Sequence, residues 1–421
     1  MINYKRSLIF PLILIYFLFP RHLFAEHEYS FNVERLNRID SMIDESIKNK
    51  EIPGAVGLIM QNGHIIYHKS FGFADVNSKL SMTNDAIFRI ASMTKAITSV
   101  GVMMLYEEGK LLLSDPVSKF IPEFKGPRVI KILDHQGNIT ETRVAKREIQ
   151  IMDLLTHTSG IGYPFIPSKL SKSYAEARII DGLTADSIVL EDLIVNLASQ
   201  PLLFDPGTSY AYGLNSDVLG YVIERISGMS LDIFFQKMIF KPLGMHDTYF
   251  YLPPNKQERL VTLYADKDGA GIEVSDGTES DIYLDDPNYP INGSKSMYSG
   301  GAGLSSTAYD YSRFLMMLLN DGQVDQKSLL SRKSIELMRT ARFDTDKDGE
   351  LDFGLGFDVT NHLKQSTELA SVGAYAWGGA FYTTFWVDPE EKLIGVFMSQ
   401  VRPVHSDTAK KFKNLVYQSL N

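Results

Sequence analysis

Hydrophobic residues recur at helical spacing close to the start of the chain. Over residues 32–50 they are separated by polar residues and fall on one helix face, at Val33, Leu36, Ile39, Ile43 and Ile47. This pattern predicts one amphipathic helix. Two runs of strand-forming residues follow at 54–60 and 64–70, joined by Asn62-Gly63, a pair that tolerates the positive φ of a tight hairpin turn. An antiparallel sheet is therefore predicted to begin here.

A similar pattern lies at the end of the chain. Residues 382–387 and 393–399 have the composition of strands and flank the turn-forming segment 388–391, and residues 408–420 can form a last helix. Because each amphipathic face must pack against a partner, the simplest arrangement has both terminal helices covering a sheet whose strands come from both ends. The predicted fold is of the α/β (α+β) class: an antiparallel sheet flanked by terminal helices, with a mainly helical region inserted.

The middle of the chain contains four further segments with helical periodicity, at 94–108, 187–199, 216–227 and 307–320. The long irregular stretch 253–299 is typical of a loop over a cleft. No repeat, low-complexity segment or polar linker divides the chain. We therefore expect a single catalytic domain over residues 26–421, with an α/β part at about 26–90 and 345–421 and a helical part at about 91–344.

The first 25 residues have the pattern of a signal peptide. Lys5 and Arg6 precede an apolar run over residues 7–19, and small Ala25 follows Leu23-Phe24. The run is shorter than the roughly 20 residues that a spanning helix needs. We therefore expect cleavage after Ala25 and a periplasmic or secreted protein without a stable membrane anchor, the alternative being an uncleaved anchor.

Composition excludes several classes of function. The formal net charge is −9, and loss of a leader with three basic and no acidic residues would leave 39 basic against 51 acidic residues, a net of −12. Such a balance disfavours nucleic acids and anionic membranes as partners. The chain has no cysteine, which excludes disulfides, a thiol nucleophile and a cysteine-ligated metal site.

The chain's single Ser-x-x-Lys sequence begins a predicted helix. In Ala91-Ser92-Met93-Thr94-Lys95, three residues along a helix return nearly to the same face, so the Lys95 side chain can reach the Ser92 hydroxyl. Serine is a weak nucleophile unless a base takes its proton. The unpaired backbone N–H groups at a helix start also favour the oxyanion that forms during attack. An ordinary serine cap is the alternative interpretation.

Further motifs make the sequence resemble a known family. A tyrosine, Tyr212, follows the loop Pro206-Gly207-Thr208, and Trp377-Gly378-Gly379-Ala380 precedes a predicted late strand. With Ser-x-x-Lys, this order resembles the serine β-lactamase and penicillin-binding-protein superfamily, and most closely its class C β-lactamase-related branch, which includes esterases and D-amino-acid peptidases. Segments 154–160, 242–245 and 300–304 agree, so the resemblance covers nearly the whole exported chain.

The resemblance implies a role for each matching residue. Ser92 would be the nucleophile, and Lys95 and Tyr212 would transfer its proton, either as a Tyr212 phenolate beside a positive Lys95 or as a neutral Lys95 amine. The backbone N–H groups of Ser92 and Ala380 would form the oxyanion hole. The implied substrate-binding positions are Trp377, Gly378, Gly379 and Leu214.

Two positions depart from the family pattern. Leu214 stands where the branch usually has the asparagine of Tyr-x-Asn, and Trp377 stands where a lysine or histidine would face a substrate carboxylate. Esterase-like members resemble this more closely. We therefore expect small carboxylic esters as substrates and no cofactor. A β-lactamase or D-alanyl-D-alanine peptidase is the alternative, and a non-catalytic binding or sensing module is a lesser one. The oligomeric state stays open.

Weaker signals have simpler interpretations. His157 and Ser159 lie in the family-like segment 154–160, where a structural loop role is expected. Tyr210 could replace Tyr212 if the loop register slips. Residues 344–352 resemble the start of a calcium loop, but Leu355 occupies the position of the bidentate carboxylate, so a solvated turn is favoured. No Gly-x-Ser-x-Gly elbow is present.

Overall fold

The computed structural model describes residues 31–266, 269, 271–275, 288–325 and 327–421. The predicted leader at 1–25 and part of the predicted loop at 253–299 lie outside these residues. Strands in chain order are β1 (Gly54–Gln61), β2 (His64–Asp75), β3 (Leu80–Ser81), β4 (Phe88–Arg89), β5 (Arg128–Leu133), β6 (Ile139–Val144), β7 (Tyr264–Asp266), β8 (Ile272–Val274), β9 (Ser305–Ser306), β10 (Gln323–Val324), β11 (Lys327–Ser328), β12 (Asp358–Val359), β13 (Tyr375–Gly379), β14 (Thr383–Asp388) and β15 (Leu393–Met398).

Helices in chain order are α1 (Val33–Leu36), α2 (Arg38–Lys48), α3 (Thr94–Glu107), α4 (Ile151–Leu155), α5 (Ser171–Glu176), α6 (Leu190–Ala198), α7 (Asn215–Ser227), α8 (Leu231–Phe235), α9 (Lys241–Leu243), α10 (Ala308–Leu319), α11 (Arg332–Met338), α12 (His362–Gln365) and α13 (Thr408–Tyr417). Short 3₁₀ turns supplement them, including one at Ala91–Met93. Each of the helices predicted between 94 and 320 is present with ends close to those expected. None in the described part of the chain is long and apolar enough to cross a bilayer.

Seven of the described strands form one antiparallel sheet in the order β12-β13-β14-β15-β1-β2-β3. The first and last long strands lie side by side at its centre, with Val56 opposite Met398 and Gln61 opposite Leu393. The β1–β2 hairpin turns at Asn62 and Gly63, whose φ angles of 52° and 79° fit the predicted tight turn. The predicted fold class is confirmed, because strands from both ends build the sheet.

The two terminal helices cover one face of this sheet. Ile39 and Ile43 of α2 meet Phe412 and Val416 of α13, and all four side chains are fully buried together with Trp386 of β14. The helix predicted over 32–50 is divided at Asn37 into α1 and α2. This apolar layer fixes the sheet from the side remote from the helical region.

The other face supports the helical part of the molecule. Helix α10 packs on β1, β14 and β15, and the buried Tyr311 hydroxyl donates to the Met93 carbonyl at 2.8 Å. Helix α3 packs against α7 and is buried from Thr94 to Leu105, so it is a core helix without a solvent face. The start of α3 is thereby held between the sheet and the inserted helices.

Two elements differ from the sequence prediction. A hairpin of β5 and β6 occupies part of the region expected to be mainly helical, and both strands are half exposed. Trp377, Gly378 and Gly379 precede β14, the late strand that the sequence predicts, but they also lie in a further strand, β13. Glycine is depleted in strands, so the pattern of residues 375–379 gave a weak strand signal.

Candidate active site

Ser92 lies in the 3₁₀ turn that leads into α3. The residue before it, Ala91, is buried and has a φ of 41°, a left-handed conformation that is uncommon for residues other than glycine. Strained backbone of this kind is found often at functional sites. The sharp turn leaves Ser92 partly exposed at the cleft while the rest of α3 enters the core.

Lys95 is 1% exposed and its amine contacts three oxygen atoms. Its Nζ lies 3.2 Å from Ser92 Oγ, 2.9 Å from Tyr163 Oη and 2.7 Å from the Gly301 carbonyl oxygen. These three contacts fix the amine beside Ser92.

Tyr212 completes the contact around the serine. Its hydroxyl lies 2.7 Å from Ser92 Oγ, and Lys95 Nζ lies 4.8 Å from the centre of its ring. The structure thus brings the predicted residues Ser92, Lys95 and Tyr212 together. Tyr210 instead packs its ring against those of Phe343 and Phe353. This placement favours Tyr212 over Tyr210 as the phenol beside the serine.

A cavity of about 320 Å³ opens beside Ser92. It is lined by Ser92, Phe165, Tyr212, Trp377, Gly378, Ala380 and Arg402. Ser92 and Ala380, the predicted oxyanion-hole residues, therefore face one space. Gly379 holds β13 against the serine turn, because a Cβ added there would lie 2.3 Å from the Ile90 carbonyl oxygen. Most of the lining is aromatic or aliphatic, and the charge comes from Arg402.

Leu214 lies elsewhere than predicted. Its side chain is fully buried in the main hydrophobic core at the start of α7, so it does not line this cavity. The preceding Gly213 passes so close to the neighbouring loop that an added Cβ would lie 2.2 Å from the Ile161 carbonyl oxygen. The prediction of Leu214 as a substrate contact is corrected, because an apolar side chain at this point turns inward.

His157 and Ser159 support the loop that carries Tyr212. Asn215 joins them, with its Nδ2 2.8 Å from His157 Nδ1 and its Oδ1 2.5 Å from Ser159 Oγ. The His157 ring packs against that of Tyr212 at 4.8 Å. Burial, and secondly the positive Lys95, hold the pKa of His157 well below its usual value. The neutral ring therefore packs within the loop that carries Tyr212, where the sequence predicts a structural role.

In the acidic loop at 344–352, carboxylates accept hydrogen bonds and form an ion pair within the chain. Asp344 accepts backbone N–H bonds from Asp348 and Gly349, and buried Asp352 accepts from Thr345 and lies 3.1 Å from Lys364 Nζ. Across the described ranges, no group of three or more histidine, aspartate or glutamate residues is placed to hold a metal ion. The loop geometry is that of a capped turn.

Tyr163, Gly301, Phe165 and Arg402 were not predicted at the site. Burial is the main reason why the pKa of Tyr163 is raised well above its usual value, so the phenol that contacts Lys95 stays neutral. Gly301 lies in the family-like segment 300–304, but nothing in that segment indicates that its carbonyl accepts a hydrogen bond from Lys95. Long-range packing sets these contacts.

This fold, with a serine, a lysine and a tyrosine in mutual contact beside a cleft, defines the class of serine enzymes related to β-lactamases and penicillin-binding proteins. The family model described as Beta-lactamase matches residues 39–418. The chain therefore belongs to the β-lactamase family.

Characterised relatives and a solved structure give the same class. The chain is 32% identical to Esterase EstB of Burkholderia gladioli over 66% of this chain and 68% of EstB. It is 29% identical to lovastatin esterase of Penicillium rubens over 89% of this chain and 96% of that enzyme. The structure of EstCE1, a hydrolase with promiscuous acyltransferase activity, superposes with a TM-score of 0.79 at 27% identity, over 91% of this chain and 99% of that one.

Proposed function

We propose that this protein is an exported serine hydrolase that cleaves esters of small carboxylic acids through an acyl-enzyme on Ser92. The observation that carries the proposal is the position of Ser92 Oγ, which lies 2.7 Å from Tyr212 Oη and 3.2 Å from Lys95 Nζ at the edge of the cavity. The nucleophile is thus within hydrogen-bond reach of both proton-transfer groups.

In the proposed acylation, the Ser92 proton moves to the Tyr212–Lys95 pair as Oγ forms a bond to the ester carbonyl carbon. The carbonyl oxygen takes the negative charge and lies at the backbone N–H groups of Ser92 and Ala380. The bond to the alcohol oxygen then breaks, and the same pair returns the proton to that oxygen. In deacylation, water takes the place of the alcohol. The pair accepts a proton from water as the water oxygen bonds to the acyl carbon, and it returns the proton to Ser92 Oγ as the bond to Oγ breaks and the acid leaves.

The cavity lining supports an ester substrate. Trp377 and Phe165 provide apolar walls, and a volume of about 320 Å³ accommodates a small acyl or alcohol group. Trp377 occupies the position from which a lysine or histidine would bind the carboxylate of a lactam substrate. Two relatives are named esterases, which agrees with this reading.

A fluorophosphonate probe tests the nucleophile directly. We expect stoichiometric labelling of the purified protein at Ser92, located by peptide mass spectrometry, and no labelling of Ser92→Ala. Labelling at another serine, or none in the folded wild-type protein, would refute the assignment. The substrate class is tested by kcat/KM for small nitrophenyl esters and for a penicillin, with the esters expected to react faster.

Export is the second part of the proposal and is supported by the charged, apolar and small-residue sequence of residues 1–25. Expression of the full chain in a bacterial host and fractionation would test it. We expect a periplasmic or secreted product whose mass begins at Glu26. A full-length product that stays with the membrane would contradict cleavage.

A further inference from the structure

A second cavity, of about 320 Å³, lies apart from the one beside Ser92 and shares no lining residue with it. Its walls are formed by five aromatic side chains: Phe240, Tyr249, Phe250, Tyr251 and Tyr298. The two phenylalanines are buried, whereas the three tyrosines are partly exposed. Sites for small molecules have this size and are lined mainly by apolar and aromatic side chains. The cavity therefore has the form of a second binding pocket.

The rings of this second pocket are held at fixed angles. The ring of Tyr298 is inclined by 65° to those of Phe250 and Tyr251, with centroid distances of 5.4 and 6.0 Å. The Tyr251 hydroxyl donates to the Met297 carbonyl at 2.7 Å, which fixes that ring beside the segment that carries Tyr298. The aromatic walls therefore form a corner against which a rigid ring can pack.

Three polar side chains complete the lining of the second pocket: Asp232, Gln236 and Lys295. Asp232 belongs to α8, which continues into a π-helical turn over Gln236–Phe240. Such turns are rare and occur frequently at functional sites. Lys295 is exposed, and among the described residues neither its Nζ nor Tyr298 Oη has a hydrogen-bond or ion-pair partner. Polar groups of both charges therefore stand beside the aromatic walls.

This combination of groups limits the chemistry of a ligand. A purely apolar molecule would take water from Asp232 and Lys295 without replacing its hydrogen bonds, which is unfavourable. A simple cation would be repelled by Lys295, and a simple anion by Asp232. A neutral molecule with several hydroxyl groups can donate to the carboxylate and accept from the ammonium group, because a hydroxyl does both. A sugar ring has such hydroxyls at its edge and apolar C–H faces that pack on aromatic rings.

We propose that the second pocket binds a neutral carbohydrate, with a sugar ring packed on Tyr298 and its hydroxyls bonded to Asp232 and Lys295. This inference does not depend on the chemistry proposed for Ser92. Because the two cavities share no lining residue, a sugar in this pocket leaves the space beside Ser92 free. Such a site would hold the protein on a glycan.

The test is saturation-transfer NMR on the purified protein with cellobiose, lactose and N,N′-diacetylchitobiose as neutral probes. Tetramethylammonium, benzoate and free tyrosine serve as cationic, anionic and zwitterionic comparisons. We expect at least one of the disaccharides to receive saturation on its ring C–H protons, and to bind more tightly than each of the three comparisons. A titration of that disaccharide then gives the Kd for wild type and variants.

Two variants locate the binding. Tyr298→Ala removes the ring, and Lys295→Gln removes the charge of an exposed side chain, so each should raise the Kd by about tenfold. Tyr309→Ala is the matched control, because Tyr309 is an exposed tyrosine of α10 outside the pocket. Trp377→Ala alters the cavity beside Ser92 instead. Both controls should keep the wild-type Kd.

Three results would overturn the proposal: no saturation of any of the disaccharides, tighter binding of one of the charged comparisons, or a Kd that changes in Trp377→Ala and not in the pocket variants. Thermal unfolding checks that each variant is folded. If Tyr298→Ala does not fold, Lys295→Gln decides the matter, because its side chain is exposed. Failure of the proposed function is distinguishable, since it would appear as absent Ser92 labelling whether or not a sugar binds.

Discussion

Replacing Tyr212 with phenylalanine removes one oxygen atom from the site and leaves its surroundings in place. The ring is packed against those of His157, Tyr163 and Trp377, with centroid distances of 4.8, 5.2 and 5.7 Å. The phenylalanine ring should therefore keep the same position. What is lost is the 2.7 Å contact with Ser92 Oγ and the group that transfers its proton.

The size of the effect separates two roles for this hydroxyl. A neutral hydrogen bond contributes about 1 kcal/mol, so its loss alone would slow acylation by roughly tenfold or less. Loss of a positioned acid–base group costs about 10²–10⁴ in rate, or about 3–5 kcal/mol of transition-state free energy. We expect Tyr212→Phe to lower the acylation rate at least a hundredfold.

The assay is the presteady-state release of nitrophenol, which reports acylation separately from turnover. Tyr210→Phe is the matched control, since it removes the same atom two residues away, where the ring contacts Phe343 and Phe353 instead of Ser92. We expect this control to stay within a fewfold of wild type. A loss below tenfold in Tyr212→Phe, or an equal loss in Tyr210→Phe, would refute a proton-transfer role for Tyr212.

Three further predictions concern the structure that supports the site. Gly213→Ala places a Cβ 2.2 Å from the Ile161 carbonyl oxygen, so it should displace Tyr212 and lower both the melting temperature and Ser92 labelling; an unchanged labelling rate would contradict this. His157 has a lowered pKa in the folded state, so below about pH 6.5 the unfolded state binds a proton that the native state does not. The free energy of unfolding should therefore fall with decreasing pH, with a slope that corresponds to up to about one proton per molecule. Urea unfolding at pH 5 and 7 measures this slope, and His157→Gln should reduce it. Phe412→Ala opens a cavity beneath α13, where the ring meets Tyr67, Trp386 and Phe397, and should cost about 3–5 kcal/mol of unfolding free energy with the proposed site intact. A loss under 1 kcal/mol by denaturant titration would show that the terminal helices contribute little.

The parts of the site that the sequence predicted are those with local spacing. Ser92 and Lys95 are three residues apart on one helix start, so their contact follows from helix geometry. The contact of Tyr212 with Ser92 was predicted only from the family resemblance, because 120 residues separate the two. Tyr163 and Gly301 are 68 and 206 residues from Lys95, and nothing in their own sequence surroundings marks a contact with it.

In the fold as well, the elements with a local sequence pattern were predicted and those set by long-range packing were not. Amphipathic periodicity predicted the terminal helices, because one face of each is buried against the sheet. Runs of strand-forming residues beside turn signals predicted the central strands, of which β1 and β15 are buried along their whole length. Strand β13 was missed because it ends in two glycines, which have low strand propensity, and Gly379 is required by the close packing against the serine turn. The side chain of Leu214 was predicted in the cleft for a related reason, because the sequence alone does not distinguish a buried leucine from one that lines a cleft.

The pairing of β1 with β15 has a consequence for biosynthesis. Ser399 bonds to the Gly54 carbonyl across 345 residues of chain, so the middle of the sheet cannot close until nearly all of the polypeptide has left the ribosome. Until then β1 has an open edge that can pair with other chains. A chain truncated before residue 393 lacks β15 and keeps this edge open, so we expect it to be insoluble instead of forming a smaller folded protein.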